Sequence, residues 1–286
     1  MIRSLPRSKK YDTAFLIYVI AFYIFLFAPL VITCVLAFNN SDFPSLPWKG
    51  FSLDWFLSDT RERVGLLHDA NSLQSILVSI QTAFFVSIFS LILGTMGAFL
   101  FERENFRFKQ GLYFLALAPL VIPGVILGIS LLLATNSAGT FVEDHLGWDV
   151  GVLRPSFWLV VIGQFSFIST FVLLVVSSRL KKFDNSLSEA ALNLGASRFD
   201  TIRLIILPFL KPSLIGAGAV AFLMSFENFN TTLFLVGSDT TLPINLYLQV
   251  RDGSTPIINA ISFLLIVTTS VMAVMNLVFT KKEEVR

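Results

Sequence analysis

The chain has 286 residues, 55% of them hydrophobic, 30 of them Phe, and only 14% charged, where ordinary soluble domains carry about 25% charged residues. Apolar runs of roughly 20 residues match a bilayer core of about 30 Å; the chain holds too many to hide in a soluble core and reads as an integral membrane protein. A net charge of +2 argues for no nucleic acid. A single cysteine, Cys34, excludes an intramolecular disulfide and any multi-cysteine metal site.

Residues 1–13 form a tail with Arg3, Arg7, Lys9 and Lys10, followed by an apolar run from Ala14 to Phe38. That run exceeds the roughly 7–15 apolar residues of a cleaved signal peptide, so it is expected to be an uncleaved first span. Asn39 to Ala70 is polar, with Pro44, Pro47 and Gly50, and its aromatics Phe43, Trp48, Phe51, Trp55 and Phe56 suit a membrane interface. A second span is expected near Leu73–Phe101 and a third near Gly111–Ala134, containing Pro119 and Pro123. Prolines inside a span are tolerated where neighbouring helices re-satisfy the backbone, so the third span is expected to face protein or a cavity. Thr135 to Arg154 reads as a polar, acidic loop with Glu143, Asp144 and Asp149. A fourth span follows near Ser156–Ser177, a fifth near Ser213–Val236 and a sixth near Ile257–Thr280, with residues 281–286 as a tail. The membrane domain thus covers residues 14–280.

Six spans put both ends on one side. The two tails and the loops after spans two and four hold 16 of the 21 Lys and Arg, and the three opposite loops hold ten of the 19 acids. Positive residues stay cytoplasmic, so both termini and the long interval 178–212 are expected there.

That interval is the most polar stretch between two apolar runs. Ser186-Leu187-Ser188-Glu189 has the spacing of a capping box, Ala190 to Leu194 are good helix formers, and Gly195 sits where a left-handed terminator belongs. Ser197-Arg198-Phe199-Asp200 offers a second, weaker helix start, and Leu204 to Leu210 is apolar, with Pro208 and Pro212 marking the way into the fifth span. The pattern predicts a short helix, a glycine bend and a second helix that re-enters the membrane. By itself this describes an interfacial amphipathic hairpin as well as a docking element.

Glu189-Ala190-Ala191, three residues, Gly195, nine residues, then Ile205-Ile206-Leu207-Pro208 resembles the signature of permease subunits of binding-protein-dependent ABC importers. The resemblance implies an all-α integral membrane protein with six transmembrane helices, the type I ABC importer permease fold, in a bacterial inner (plasma) membrane. It implies that the short helix, about Leu187–Leu194, docks in a groove of a partner ATPase. Glu189, Ala190, Ala191, Leu192 and Gly195 would then serve coupling, with Ile205, Leu207 and Pro208 completing the motif at re-entry. Ala190 and Ala191 would allow close approach and Gly195 a tight turn. Glu189 has two open readings, a partner for a basic residue of the ATPase or only the helix cap. The chain lacks the Gly-x-x-x-x-Gly-Lys-[Ser/Thr] phosphate loop, so it is read as a translocation subunit and not an enzyme. It is expected to bind no cofactor, with ATP and Mg on the partner. Implied partners are a second permease, as a heterodimer, two ATP-binding subunits, a periplasmic solute-binding protein and membrane lipid.

Further segments resemble the spermidine/putrescine branch: Phe38-Asn39-Asn40-Ser41, the run Trp48 to Phe56, Ser178 to Asp184, and Thr241-Leu242-Pro243-Ile244. This implies uptake of a small solute, a polyamine such as spermidine or putrescine, from periplasm to cytoplasm. Two departures count against a highly charged cargo. The branch tends to carry two adjacent acids where this chain has Glu227-Asn228, and Pro-Asp where it has Pro123-Gly124. Another small amine, an amino-acid-like solute or a phosphonate is the alternative.

Glu227 is the one acid expected well inside a span, where a charge costs a few kcal/mol and usually faces a cavity or a partner. On a continuous helix Glu227, Asn230 and Thr231 share a face, with Phe222, Phe226 and Phe229 on an overlapping one. Two readings follow: Glu227 attracts a cationic solute while Asn228, Asn230 and Thr231 hydrogen-bond along its path, or Glu227 pairs with a basic residue of the partner permease. His68 and His145 lie in separate loops without ligand spacing and are read as surface residues, leaving no expected metal site. A secondary transporter would be expected to show internal repeats or several intramembrane charges, and a membrane enzyme a His/Asp/Glu cluster at depth; the chain has neither.

Overall fold

The computed structural model describes residues 9–284 except 45, 62 and 254, with side chains over residues 10–271. In chain order the helices are α1 (Lys9–Leu36), α2 (Asp54–Leu57), α3 (Ala70–Arg103), α4 (Lys109–Val121), α5 (Gly124–Leu146), α6 (Phe157–Leu180), α7 (Asn185–Asn193), α8 (Arg198–Thr201), α9 (Leu207–Phe226), α10 (Thr232–Leu235), α11 (Leu242–Asp252) and α12 (Ile257–Glu284). A 3-10 turn at Gly151–Leu153 precedes α6, and a π-turn at Ile202–Ile206 joins α8 to α9. Five helical stretches are long and apolar enough to cross a membrane, Lys10–Leu36, Ala70–Arg103, Gly124–Leu146, Phe157–Leu180 and Arg198–Phe226, with a shorter apolar helix at Ile257–Val271. Of the expected tails, residues 1–8 and 285–286 lie outside the described residues, and α12 runs on to Glu284, past the expected end at Thr280.

The chain divides into two compact units, one of residues up to Leu73 and from Leu246 onward, the other Gln74–Asn245. In the first, α1 lies against α12. A ring cluster joins the segment after α1 to α12: Phe38 stacks on Phe51 at 5.4 Å and meets Phe263 edge-on at 4.9 Å, and Phe263 also meets Phe56 at 5.8 Å. The polar segment after α1 is held by Arg63, paired with Asp42 at 2.8 Å and Asp54 at 3.1 Å, while the buried Trp55 donates its indole N–H to the Ser41 carbonyl at 3.2 Å. Phe43, Trp48 and Phe51 are exposed.

In the second unit α6 is the central helix, and its buried residues Ile168, Val172 and Val176 share a core with Val86 of α3 and with Leu210, Ala217 and Ala221 of α9. Where α3 passes α6 no side chain fits at Gly94, because a Cβ there would lie 2.7 Å from Val172 Cβ and 2.8 Å from the Ser169 carbonyl. Small residues let membrane helices approach this closely.

Four expectations are corrected. The third span is not one helix: Ile122 is extended (ψ 129°) and Pro123 caps α5, because proline lacks the N–H and pushes its predecessor out of helical geometry. Ala116 meets Thr170 and Leu131 meets Gly163, so α4 and the first half of α5 run antiparallel to α6. Most of the expected loop Thr135–Arg154 is helix, since α5 continues to Leu146 and packs Gly139 near Leu153. Likewise, the loop Gly237–Pro256 contains α11. Its first residues are moored on a buried hydroxyl stripe of α3, Leu242 N–H donating to Ser79 Oγ at 2.7 Å and Asn245 Nδ2 to Ser75 Oγ at 3.0 Å. The fifth span, finally, stops as a helix at Phe226, ten residues early.

Candidate functional site

The interval after α6 folds as the pattern predicts, with a different first cap. Asp184, not Ser186, is the N-cap of α7: its Oδ1 accepts from the Ser186 backbone N–H at 3.0 Å. That backbone bond first, and the Ser186 side chain second, hold the Asp184 carboxyl below the usual carboxylate value. Glu189 is therefore not the cap; it is exposed and forms no side-chain hydrogen bond or ion pair among the described residues. At the other end Gly195 has φ +86°, its N–H reaches the Leu192 carbonyl at 3.0 Å and the Ala196 N–H reaches Ala191 at 3.1 Å. This double closure is a Schellman motif, for which glycine has the lowest cost. Ser197 then caps α8, accepting from Asp200 N–H at 3.1 Å and donating to its carboxylate at 2.5 Å.

The result is a nine-residue helix, capped at both ends, whose outer side is exposed among the described residues. Glu189 and Ala190 are exposed and Ala191 half-buried, and Leu187, Leu192, Leu194 and Phe199 expose apolar surface. Below it, a cavity of about 1330 Å³ separates α7 and α8 from α3, α4 and α6; Ser188, Leu192, Arg198, Ile202 and Leu207 form its floor on this side. Ile205 packs on the α6 core, and Pro208 is exposed on the first turn of α9. The π-turn immediately before it, closed by Leu207 N–H to the Ile202 carbonyl, shifts the hydrogen-bond ladder where proline supplies no donor. Three contacts unforeseen in the sequence tie α7 and the turn before it to the spans. Arg103 at the end of α3 hydrogen-bonds Asn185 and lies 5.1 Å from the Phe183 ring, and Phe183 meets Phe209 of α9 edge-on at 5.2 Å.

The second candidate region is the break after α9. Glu227 is the C-cap of α9 and exposed, not mid-helix. Residues 227–231 are not helical, so the shared face of Glu227, Asn230 and Thr231 does not exist. Asn228 is committed to structure: its Oδ1 accepts from the Thr232 N–H at 3.3 Å and the Thr232 hydroxyl at 3.0 Å, fastening α10. Thr231 is buried and donates to the Gly124 carbonyl at 3.3 Å. Only Glu227 and Asn230 remain exposed. Behind the break, the fully buried Gln164 of α6 donates to Thr232 Oγ1 at 2.7 Å and accepts from Ser225 Oγ. Gln164 was not foreseen; a lone amide in the middle of Phe157–Leu180 was the available signal.

Residues 90–283 match the family described as binding-protein-dependent transport system inner membrane component. The chain belongs to this family. It is 32% identical over 244 residues to the putrescine transport system permease protein PotI of Escherichia coli (strain K12), covering 85% of this chain and 82% of that one. It is 30% identical over 255 residues to the spermidine/putrescine transport system permease protein PotC of Escherichia coli (strain K12), covering 89% of each. Its fold is that of a bacterial ABC transporter subunit involved in alginate import, at a TM-score of 0.66 and 14% identity over 97% of this chain and 99% of that one. The MetNI methionine ABC transporter matches at a TM-score of 0.52 and 14% identity over 74% and 94%.

The chain is thus a multi-pass permease subunit of an ABC importer, a translocation component working with ATPase and binding-protein partners rather than an enzyme. As such a permease it carries two distinct features in one unit: an exposed short helix joined to the spans through Arg103 and Phe183, and a helix break with an exposed carboxylate.

Proposed function

We propose that this permease carries a small organic cation, a polyamine such as putrescine or spermidine, from the periplasm to the cytoplasm, with α7 docked on the ATPase. The carrying observation for coupling is the capped, exposed α7, whose Glu189, Ala190, Ala191 and Leu192 offer a carboxylate and small or apolar side chains to a groove; Gly195, Ile205, Leu207 and Pro208 set its return to the membrane. The polyamine reading rests on the similarity to PotI and PotC and on Glu227. That carboxylate stands at the C-terminal end of α9, where the helix dipole adds partial negative charge; half-helix C-termini coordinate cations in other transporters. Asn230 is the remaining exposed polar group of the path, while Asn228 and Thr231 shape the break.

The charge asymmetry supports cytoplasmic termini and a cytoplasmic α7. ATP and Mg bind on two copies of the ATPase, and a second, similar permease completes the pathway as a heterodimer in the inner membrane. ATP-driven closure moves the coupling helices together and shifts the population from inward-facing to outward-facing states. A less charged amine is the second reading, favoured by Asn228 and Gly124 at places where a highly charged cargo would call for more acids. The test is uptake of labelled putrescine and spermidine by the reconstituted complex: Glu227→Gln lowers it with assembly intact, and Glu189→Arg abolishes solute-stimulated ATPase activity. Unchanged uptake in Glu227→Gln would sink the cation path.

A further inference from the structure

Where α6 ends and α9 begins lies a second, shallower pocket of about 480 Å³, lined by Leu174, Val175, Ser178, Arg179, Lys182 and Ser213. Its chemistry is one-sided: two cations, two hydroxyls and an aliphatic wall, with no acid in the lining. The Arg179 guanidinium carbon sits over the Phe209 ring, 4.1 Å from its centre. Its Nε is buried without an acceptor. Among the described residues neither Arg179 nor Lys182 makes a side-chain hydrogen bond or ion pair, whereas the adjacent Lys181 pairs with Glu102 at 3.4 Å.

Cations at a helix C-terminus commonly serve its last carbonyls. Here the carbonyls of Ser177, Arg179 and Leu180 already accept from the backbone N–H groups of Lys181, Lys182 and Phe183. The two cations are therefore free for a ligand. The pocket lies at the end of a 24-residue helix long enough to cross the bilayer core, which is headgroup level, and Leu174 and Val175 lie about one turn farther into the apolar region. An arginine fork with nearby hydroxyls suits phosphate oxygens, and basic pockets between membrane helices on the cytoplasmic side bind anionic head groups.

We propose that this pocket binds the phosphate of an anionic phospholipid, its acyl chain lying along Leu174 and Val175. The leaflet, cytoplasmic, rests on the charge-based orientation; the pocket itself does not. The bound lipid would brace the junction of α6 and α9 from which α7 is suspended. The experiment measures the association of spin-labelled phosphatidylglycerol and phosphatidylcholine with the purified, reconstituted complex. Phosphatidylglycerol is expected to be preferred, and each basic residue near a headgroup contributes a factor of about five. Lys182→Gln, at an exposed position that leaves folding undisturbed, lowers the preference about fivefold and Arg179→Gln/Lys182→Gln about thirtyfold, while Lys211→Gln, outside the pocket, leaves it unchanged. Equal association of the two lipids, a preference that survives both substitutions, or displacement of the label by inorganic phosphate would overturn the assignment.

Discussion

Gln164→Leu tests whether the break after α9 is built from α6. The substitution keeps the side-chain volume but removes the donor to Thr232 and the acceptor for Ser225. Both partners are buried, Ser225 at 3% and Thr232 at 0% exposure, so water cannot replace the lost bonds. An abandoned buried polar group costs about 1–3 kcal/mol, and interhelical hydrogen bonds in membranes average about 0.6 and reach about 1.7 kcal/mol. The two bonds together put the expected loss at roughly 1–3 kcal/mol, measured by unfolding of the purified permease in mixed micelles followed by circular dichroism. A cycle with Thr232→Val isolates the pair and is expected to give a coupling of about 0.6–1.7 kcal/mol. Single effects that add to within about 0.3 kcal/mol would refute the network as the fastening of the break.

Gly195→Ala forces a left-handed residue to carry a Cβ, a strain of roughly 1–2 kcal/mol, and is expected to uncouple ATP hydrolysis from uptake while membrane insertion stays normal. Asp184, whose pKa is lowered on folding, stabilises α7 fully above the ordinary Asp value of about 3.9; that contribution is lost as pH falls through the lowered folded value. Amide exchange of Ser186 to Ser188 should therefore keep its protection down to about pH 4 in the native chain, and lose it at every pH in Asp184→Ala. Gly94→Val drives a side chain into Val172 and the Ser169 carbonyl and should cost at least about 1–3 kcal/mol. Gly111→Ala, in open space on α4, should gain up to about 1 kcal/mol. The same unfolding assay separates the two.

Hydropathy carried the spans because each must bury about 20 apolar residues in lipid, and the Glu-Ala-Ala…Gly motif carried the hairpin because caps and glycine turns are local. What stayed hidden depended on partners distant in sequence. The helix α11 has too little apolar surface to register, and its place follows from Ser75 and Ser79 on α3, more than 160 residues away. Asp184 and Ser186 are both good capping residues two positions apart, and in the fold it is the Asp184 carboxylate that accepts from the Ser186 N–H. Glu227 was misplaced for a third reason: Phe222 to Leu235 is apolar enough to continue a helix, and nothing in its composition announces that Gln164 and Gly124 hold it open.

That break also explains the two departures from the polyamine pattern as one local fact. Gly124 approaches so closely that a Cβ there would lie 3.1 Å from Asn230 Cβ and 3.2 Å from Thr231 Oγ1, and its carbonyl receives the Thr231 hydroxyl. Asn228, four residues before Thr232, spends its carbonyl oxygen on the N–H and hydroxyl that start α10. A carboxylate at 228 could accept the same bonds but would bring a second charge beside Glu227, and an aspartate at 124 would meet Asn230 head-on. The two positions therefore act together: with glycine and asparagine the break closes on itself and leaves one exposed carboxylate. A solute charge that enters the path without a partner keeps its desolvation cost uncompensated, so a path with one carboxylate should favour the divalent putrescine over longer, more charged polyamines. A preference for spermidine in competition uptake, undiminished in Glu227→Gln, would place the selecting charges on the other permease.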